Sequence, residues 1–177
     1  MANQGLQTSQ KGLEFIAKWE SMVLHPYLDS AQKWTIGIGK LLVPTDSFIN
    51  ISNSDIRELL KSTDPNHRVT KKKITKAEAL KCLKEDVKEC EEAIKNNVTV
   101  PLTQTQFDVL VSWTFNCGIG SLKSSTLLKK LNKKEYNEVA NELLKWANVT
   151  ISGKKVPSQG LLNRRIAEAQ LWLDTGC

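Results

Sequence analysis

Between residues 19 and 39 the chain reads WESMVLHPYLDSAQKWTIGIG, and the hydrophobic period changes inside this stretch. Residues 12–20, which lead into this stretch, repeat apolar side chains at helical spacing, and this predicts a short helix with one apolar stripe. Residues 29–33 are turn-forming types, and residues 34–39 have the composition of a strand with glycine at alternate positions. The stretch therefore predicts a helix that leads into a small β-hairpin.

Downstream of residue 74 the pattern becomes helical. Two capping boxes, Thr75–Glu78 and Thr103–Gln106, each predict the start of a helix. The first helix is predicted over 74–96; the second, over 107–116, is apolar nearly all round and is predicted to be the buried central helix. Further helices are predicted over 54–61, 125–131, 135–147 and 158–174, and the central helix is predicted to end at Gly118 and Gly120.

These elements predict the α+β class and a single domain over residues 1–177. Its N-terminal lobe, 12–73, is expected to hold the small β-sheet. The 74–96 helix is expected to connect this lobe to a mostly helical lobe over 97–177. A chain of 177 residues is long enough to bury a core without disulfide or metal staples.

Composition and charge narrow the class of partner. The hydrophobic share of 40% and charged share of 25% are typical of a soluble globular protein. The net charge of +6 favours a polyanionic partner, either nucleic acid or an anionic cell envelope, and charge alone does not separate the two. The N-terminal residues 1–11 are polar and no apolar run reaches the length of a membrane span, so we expect synthesis in the cytoplasm and no integral membrane segment.

The cysteines are expected to be free thiols. Cys82 and Cys90 lie on one predicted helix, too far apart along its axis for a disulfide. No spacing among the four cysteines, which include Cys117 and Cys177, or between them and the histidines resembles that of a zinc site. Cys90 and Cys117 are expected in the core, and we expect no metal and no cofactor.

Two carboxylates, Glu20 and Asp29, bracket the start of the predicted hairpin. Hydrolysis of a glycosidic bond needs a proton donor for the leaving oxygen and a second group for the cationic centre or the attacking water. Glu20 follows an apolar stripe, and apolar surroundings disfavour a charged carboxyl, whereas Asp29 lies in a polar turn. The pair therefore suits this division of labour, although spacing alone does not single it out among nineteen acidic residues.

The stretch 19–39 resembles the active-site signature of the phage-type lysozymes, glycoside hydrolase family 24. The resemblance rests on Trp19-Glu20, on Pro26-Tyr27-Leu28-Asp29 and on Trp34-Thr35-Ile36-Gly37-Ile38-Gly39. Two later patches, within residues 113–128 and 160–168, are similar to the family's central helix and to a segment near its C-terminus. The matches run in the expected order from about residue 12 to 173.

The resemblance implies a two-lobed lysozyme-like fold and a muramidase that hydrolyses the β-1,4 bond between N-acetylmuramic acid and N-acetylglucosamine in peptidoglycan, causing bacterial lysis. By position Glu20 would be the general acid. Asp29 and Thr35 would hold and activate the attacking water, which gives inversion. The resemblance also places four residues along the saccharide cleft: Gly39, Leu41, Phe115 and Thr126.

The resemblance also sets the expected partners. Peptidoglycan is the expected substrate and nucleic acid is not expected, since only charge supports it. We expect a monomer that is made in the host cytoplasm and acts on periplasmic cell-wall peptidoglycan after release. A holin could release it, or a secretion machine could inject it as an interbacterial toxin, and the sequence does not decide between a phage, a prophage and a toxin origin.

Two alternatives stay open. A lytic transglycosylase uses a single acid, and the presence of both Asp29 and Thr35 argues against it. A catalytically inactive wall-binding protein would have lost one of the three residues Glu20, Asp29 and Thr35.

One position near the signature differs from a member of the family. Lys40 stands where that member has a histidine, so an ion pair formed by the histidine would be absent or replaced here. Arg164 and Arg165 are expected to pair with helix acids rather than with wall carboxylates. His25 lies between Glu20 and Asp29 in sequence, but the acid–base chemistry of glycoside hydrolysis needs no group beyond those already assigned.

Overall fold

The computed structural model describes residues 3–174 of the chain. The chain divides into two compact units, one made of the part up to Gly12 with the part from Val87 onward, the other of Leu13–Asp86. We call the first the helical unit and the second the sheet unit, and describe each by itself. Cys177, expected to be a free thiol, lies outside the described residues.

The sheet unit combines a small antiparallel sheet with short helices. Helix α1 enters it, and its sheet has the strand order β1-β2-β3. Its elements are α1 (Gln10–Trp19), β1 (Val23–Leu28), β2 (Trp34–Gly37), β3 (Lys40–Leu41), α2 (Asn53–Leu59), a 3-10 turn (Arg68–Lys71) and α3 (Lys76–Asp86). The predicted helix, hairpin and 54–61 helix are confirmed here with small shifts of boundary.

The core of the sheet unit forms beneath β2. Trp34 and Ile36 alternate along this strand and reach one apolar cluster, as the period of two predicts. The other members of the cluster come from the segments that follow the sheet: Leu42, Ile51, Ile56, Leu59, Val69, Ile74 and Ala79. Residues 42–73, for which the sequence predicted only the 54–61 helix, therefore supply most of the side chains that complete the core of this unit.

The helical unit is built around one buried helix. Helix α5 begins after the N-cap Thr103, whose side chain accepts the amide of Gln106 while the Gln106 side chain accepts the amide of Thr103. This capping box and the central position of α5 are confirmed. The unit's elements are α4 (Lys88–Asn97), α5 (Gln104–Cys117), α6 (Ile119–Ser124), α7 (Thr126–Asn132), α8 (Tyr136–Leu144), β4 (Asn148–Ile151), β5 (Lys154–Pro157) and α9 (Gln159–Leu173).

Two sequence predictions about the helices need correction. The helix predicted over 74–96 is interrupted at Val87, a buried β-branched residue that keeps a helical backbone between α3 and α4. Gly120 does not end the central helix, because it lies inside the short helix α6. The prediction that the lobe over 97–177 is mostly helical is confirmed over residues 97–174, although it also contains an antiparallel hairpin of β4 and β5 that was not predicted.

The arginines near the C-terminus pair inside the protein, as expected. Nε of Arg165 lies 2.8 Å from Oε2 of Glu168, and both side chains are fully buried. Nε of Arg164 lies 3.3 Å from Oε1 of the same carboxylate, which also accepts the Ser112 hydroxyl at 2.7 Å. These contacts tie α9 to the central helix α5 within the helical unit.

The described cysteines are free thiols, as predicted. Cys90 is buried, and burial raises the pKa of its thiol to about 11. Cys117, expected in the core, is only partly buried because it is the last residue of α5, and its sulfur lies 3.0 Å from Nη1 of Arg165. Within residues 3–174, no helix is long and apolar enough to cross a bilayer.

Candidate active site

Glu20 is placed by the end of helix α1. Its backbone amide still donates a helical hydrogen bond to the carbonyl of Ile16, at 3.2 Å, although the helix ends at the preceding residue. Trp19 packs edge-on against Phe15, with ring centroids 6.3 Å apart. Glu20 itself is half-buried and directly follows Trp19, at the start of the chain segment that enters β1.

Asp29 is held in the turn between β1 and β2. One of its oxygens, Oδ1, accepts the backbone amides of Ala31 and Lys33, each at 2.8 Å. The Asp29 amide in turn donates to the Lys33 carbonyl at 3.0 Å. Within the described part of the chain, Oδ2 accepts no hydrogen bond, so one oxygen fixes the side chain and the other is available to a ligand or a water molecule.

Thr35 lies on β2, one strand residue after that turn. It is only 2% exposed, and its hydroxyl donates to the Lys33 carbonyl at 3.1 Å. The same carbonyl therefore accepts both the Asp29 amide and the Thr35 hydroxyl. A hydroxyl that donates in this way keeps lone pairs that can accept from a water molecule.

The sheet register places a row of side chains around Thr35. Tyr27 on β1 and Leu41 on β3 each lie directly opposite Thr35, so the three share one face of the sheet. Burial raises the pKa of Tyr27, and the negative charge of Asp29 raises it further. No role for Tyr27 was predicted from the sequence, and the strand register places it opposite Thr35.

The glycines of the 34–39 stretch form the tight connection from β2 to β3. Gly37 has φ of 66° and Gly39 has φ of 73°, a region where residues with a Cβ are strained. A Cβ at Gly39 would meet no atom within 4 Å, so backbone conformation rather than space selects glycine there. This connection brings Leu41 back beside Thr35.

The expected sugar-contacting residues fall in both units. Gly39 is exposed and Leu41 is 45% exposed, so Leu41 is not part of a core. Phe115 is half-buried near the end of α5, and Thr126 is the exposed first residue of α7. Glu20, Asp29, Thr35, Gly39 and Leu41 all belong to the sheet unit, whereas Phe115 and Thr126 belong to the helical unit.

Two further side chains near the signature have their own partners. Nζ of Lys40 lies 3.5 Å from a carboxylate oxygen of Asp46. An ion pair is therefore present at the position where a lysine replaces the histidine of one family member. His25 is exposed on β1, and its Nδ1 lies 3.1 Å from the Pro26 carbonyl. Residues 3–174 contain no group of three His, Cys, Asp or Glu side chains placed to hold a metal ion.

The sheet unit thus carries a carboxyl at a helix end, a carboxylate fixed through one oxygen, and a buried hydroxyl that donates to the same carbonyl as the backbone amide of Asp29. Such a set can donate a proton to a leaving oxygen and can orient a water molecule for attack. Both tasks are those of a glycosidase.

Comparison with known proteins agrees with this chemistry. The model of the Phage lysozyme family matches residues 17–168. The chain is 32% identical over 167 residues to the endolysin of Acyrthosiphon pisum secondary endosymbiont phage 1, covering 94% of this chain and 98% of that protein.

Solved structures give the same result. The endolysin from Escherichia coli O157:H7 phage FAHEc1 has a TM-score of 0.74 and 35% identity, covering 97% of this chain and 96% of that one. The muramidase domain of SpmX from Asticaccaulis excentricus has a TM-score of 0.73 and 27% identity, covering 95% of this chain and 98% of that one. The similarity therefore extends over nearly the whole chain, including the stretch that holds the three groups.

Proposed function

Since the chain belongs to the phage lysozyme family, we propose that Glu20, Asp29 and Thr35 are its catalytic residues. The protein is a lysozyme-type glycosidase, a muramidase that cleaves peptidoglycan and thereby lyses bacterial cells. The bond we assign to it is the β-1,4 linkage between N-acetylmuramic acid and N-acetylglucosamine. The observation that carries the residue assignment is the sharing of the Lys33 carbonyl by Asp29 and Thr35, because it holds a carboxylate and a hydroxyl in one fixed turn.

Glu20 is the general acid of the proposed mechanism. Cleavage of the glycosidic bond leaves negative charge on the departing oxygen, and proton donation from a carboxylic acid neutralises that charge in the transition state. Its position supports this role, because Glu20 is half-buried at the end of α1, directly after the aromatic residue Trp19.

Asp29 and Thr35 position the attacking water. The two amides on Oδ1 orient the Asp29 side chain, and Oδ2 can accept a proton from the water as it attacks. The Thr35 hydroxyl donates to a carbonyl and so offers a lone pair to the second proton of that water. The turn therefore provides two acceptors for one water molecule.

The reaction balances without any further reactant. Water adds its oxygen to the anomeric carbon as the glycosidic bond breaks, the leaving oxygen takes the proton of Glu20, and Asp29 takes a proton from the water. Exchange with solvent then restores both carboxyls. Attack on the face opposite the leaving group inverts the anomeric carbon, so the β-linked substrate yields an α reducing end.

Four residues complete the proposed substrate site. Gly39 and Leu41 follow Thr35 on the connection to β3 and on β3 itself, and the exposed Leu41 side chain offers an apolar contact for a sugar ring. Phe115 and Thr126 are the proposed contacts from the helical unit. We propose that both units act together as a single lysozyme-like domain.

The proposal extends to the cellular route. We propose a monomer made in the host cytoplasm that reaches periplasmic peptidoglycan after release by a holin. Expression in bacteria with and without a co-expressed pore-forming holin tests the route. Rapid lysis only in the presence of the holin supports it, whereas equally rapid lysis without the holin contradicts it.

Mass spectrometry of digested peptidoglycan tests the reaction class. A hydrolase releases fragments with hydrated N-acetylmuramic acid reducing ends. A lytic transglycosylase instead leaves 1,6-anhydro ends, because the sugar's own hydroxyl replaces water. We expect hydrated ends throughout the digest; anhydro ends as the main product would replace the hydrolase assignment with the transglycosylase one.

A further inference from the structure

The hairpin β4–β5 is exposed on both faces. Its strands pair from Asn148 opposite Pro157 to Ile151 opposite Lys154, and every side chain over residues 150–157 is exposed. The turn residues Ser152 and Gly153 have φ of 50° and 77°, the positive pair that a two-residue hairpin loop requires. Two strands alone are of marginal stability in water. Of the ten residues from 148 to 157, Val149 is half-buried and the others are exposed.

One face of this hairpin carries three apolar side chains and one lysine. Val149 lies opposite Val156, and Ile151 lies opposite Lys154, so these four side chains share a face. Ile151 is 56% exposed and Val156 is 39% exposed. Exposed apolar groups that lie together on one face indicate an interaction site more strongly than the same groups scattered singly.

The charge around the hairpin has one sign. From Leu143 to Ala167 the sequence contains no Asp or Glu. Lys154 and Lys155 stand at the start of β5, both exposed, and neither forms an ion pair with any of residues 3–174. Because successive strand residues face opposite sides, Lys154 lies on the face of Val149, Ile151 and Val156, whereas Lys155 lies on the other face. The hairpin therefore presents one uncompensated cation among the apolar side chains and a second one behind them.

We propose that the β4–β5 hairpin binds an anionic lipid surface. The side chains of Val149, Ile151 and Val156 would enter the boundary between headgroups and acyl chains. Lysine stems are long enough to keep their ammonium groups at the level of the lipid phosphates while their methylenes lie along apolar surface. A nucleic acid would use the cations but not the apolar face, which carries no aromatic ring for stacking on bases.

Co-sedimentation with vesicles tests the proposal. The full chain is mixed at low ionic strength with vesicles of equal parts phosphatidylglycerol and phosphatidylcholine, and with vesicles of phosphatidylcholine alone. We expect binding to the anionic vesicles, weaker binding to the neutral ones, and release from the anionic vesicles as salt is added. Equal binding to both compositions, or no binding to either, contradicts the proposal.

Two hairpin variants separate the charged and apolar contributions. Lys154→Gln/Lys155→Gln should weaken binding to anionic vesicles about 25-fold, since each lysine near such a surface contributes about a five-fold factor. Ile151→Thr/Val156→Thr should weaken it about ten-fold, because it removes apolar groups while keeping β-branched residues in the strands. Unchanged binding of either variant overturns the corresponding part of the proposal.

Matched controls lie in the sheet unit. Ile49 is 79% exposed, and Lys71 and Lys73 are exposed lysines without an ion pair among the described residues. Ile49→Thr and Lys71→Gln/Lys73→Gln should each change vesicle binding less than three-fold, and a change as large as that of the hairpin variants contradicts a local site. All variants should digest soluble peptidoglycan fragments at the wild-type rate. Hairpin variants that lose binding to purified walls but retain vesicle binding would assign the hairpin to the wall instead.

Discussion

Asp29 and Lys33 exchange two hydrogen bonds across the turn from β1 to β2. The Asp29 amide donates to the Lys33 carbonyl at 3.0 Å, and the Lys33 amide donates to Oδ1 of Asp29 at 2.8 Å. The Lys33 carbonyl also accepts the Thr35 hydroxyl at 3.1 Å. One residue's backbone thus fixes both groups that we assign to the attacking water, and the two can be tested separately.

Asp29→Asn separates the charge of this side chain from its structural role. The amide oxygen of asparagine can still accept the two backbone amides, so the turn should survive, whereas the acceptor for the water's proton is lost. We expect the rate of peptidoglycan hydrolysis to fall about 100- to 10,000-fold. The free energy of unfolding should change by less than about 1 kcal/mol, which urea unfolding measures.

The control for that variant is Asp29→Ala, which removes the oxygens that hold the turn. It should lose activity to a similar extent and be destabilised as well, by about 1–3 kcal/mol. Near wild-type hydrolysis by Asp29→Asn would show that the carboxylate charge takes no part in the reaction.

Thr35→Val and Thr35→Ser test the hydroxyl. Valine keeps the shape of threonine and loses the donor to the Lys33 carbonyl, whereas serine keeps the hydroxyl and loses one methyl group. We expect the rate constant of hydrolysis to fall about 10- to 100-fold in Thr35→Val and less than about five-fold in Thr35→Ser. Because Thr35 is buried, circular dichroism melting of both variants is the control for folding. Equal losses in both would assign Thr35 a packing role.

Gly12 and Asp108 fix how α1 starts on the helical unit. A Cβ at Gly12 would lie 2.6 Å from Cγ of Asp108, and that carboxylate is held by the Ser9 amide at 2.9 Å and by Nε2 of Gln104 at 2.9 Å. Gly12→Ala must displace Asp108, so we expect it to lower the free energy of unfolding by about 1–3 kcal/mol despite the better helix propensity of alanine.

Gly5→Ala is the matched control for this variant. A Cβ at Gly5 meets no atom within 4 Å, so urea unfolding should show a change within about 0.5 kcal/mol. A Gly12→Ala protein as stable as Gly5→Ala would contradict the close packing of Gly12 against Asp108 within the helical unit.

Asp55 links stability of the sheet unit to pH. Its carboxylate lies 2.7 Å from Nζ of Lys72, accepts the Ser52 hydroxyl at 2.7 Å, and pairs with Nη1 of Arg68 at 3.0 Å. The hydrogen bond from Lys72 has the largest effect and that from the Ser52 hydroxyl the next largest, and together they hold the pKa of Asp55 well below its usual range. A depressed pKa means that the stability is present above the ordinary aspartate value of about 4 and is lost as pH falls below it.

We therefore expect Asp55→Asn to lower the free energy of unfolding at neutral pH by about 1–2 kcal/mol, since Lys72 loses its partner while Arg68 keeps its pairing with Glu58. The difference from wild type should shrink progressively below about pH 4, as urea unfolding over a pH series would show. The control is Asp64→Asn, because Asp64 is an exposed carboxylate without an ion pair among residues 3–174. A difference that stays constant down to strong acid contradicts the ion-pair explanation.

The sequence predicted those elements whose signal lies in neighbouring residues, such as a hydrophobic repeat or a helix cap. The alternation of Trp34 and Ile36, and the capping box from Thr103 to Gln106, are local signals, and the structure confirms both. The same stretch also predicted Glu20 at the end of a helix, Asp29 in a turn and Thr35 on the following strand, and the structure has them there.

The features that sequence missed have other physical origins. The β4–β5 hairpin is exposed on both faces, so no buried face imposed a regular apolar alternation, and the Ser152-Gly153 turn was its only strong signal. The role of Lys33 lies in its backbone, which side-chain identity does not reveal. Cys117 looked like core by composition, but its place at the end of α5 leaves it partly exposed.

The central claim is that Glu20 donates the proton to the leaving oxygen. The direct test is the rate at which purified Glu20→Gln releases reducing ends from peptidoglycan, compared with wild type and with Glu14→Gln, an exposed glutamate of α1. Glutamine keeps the size of the side chain and cannot donate such a proton, so we predict a loss of at least about 1,000-fold with an unchanged melting transition, and near wild-type activity for Glu14→Gln. A folded Glu20→Gln protein that hydrolyses peptidoglycan within about ten-fold of the wild-type rate would contradict the mechanism.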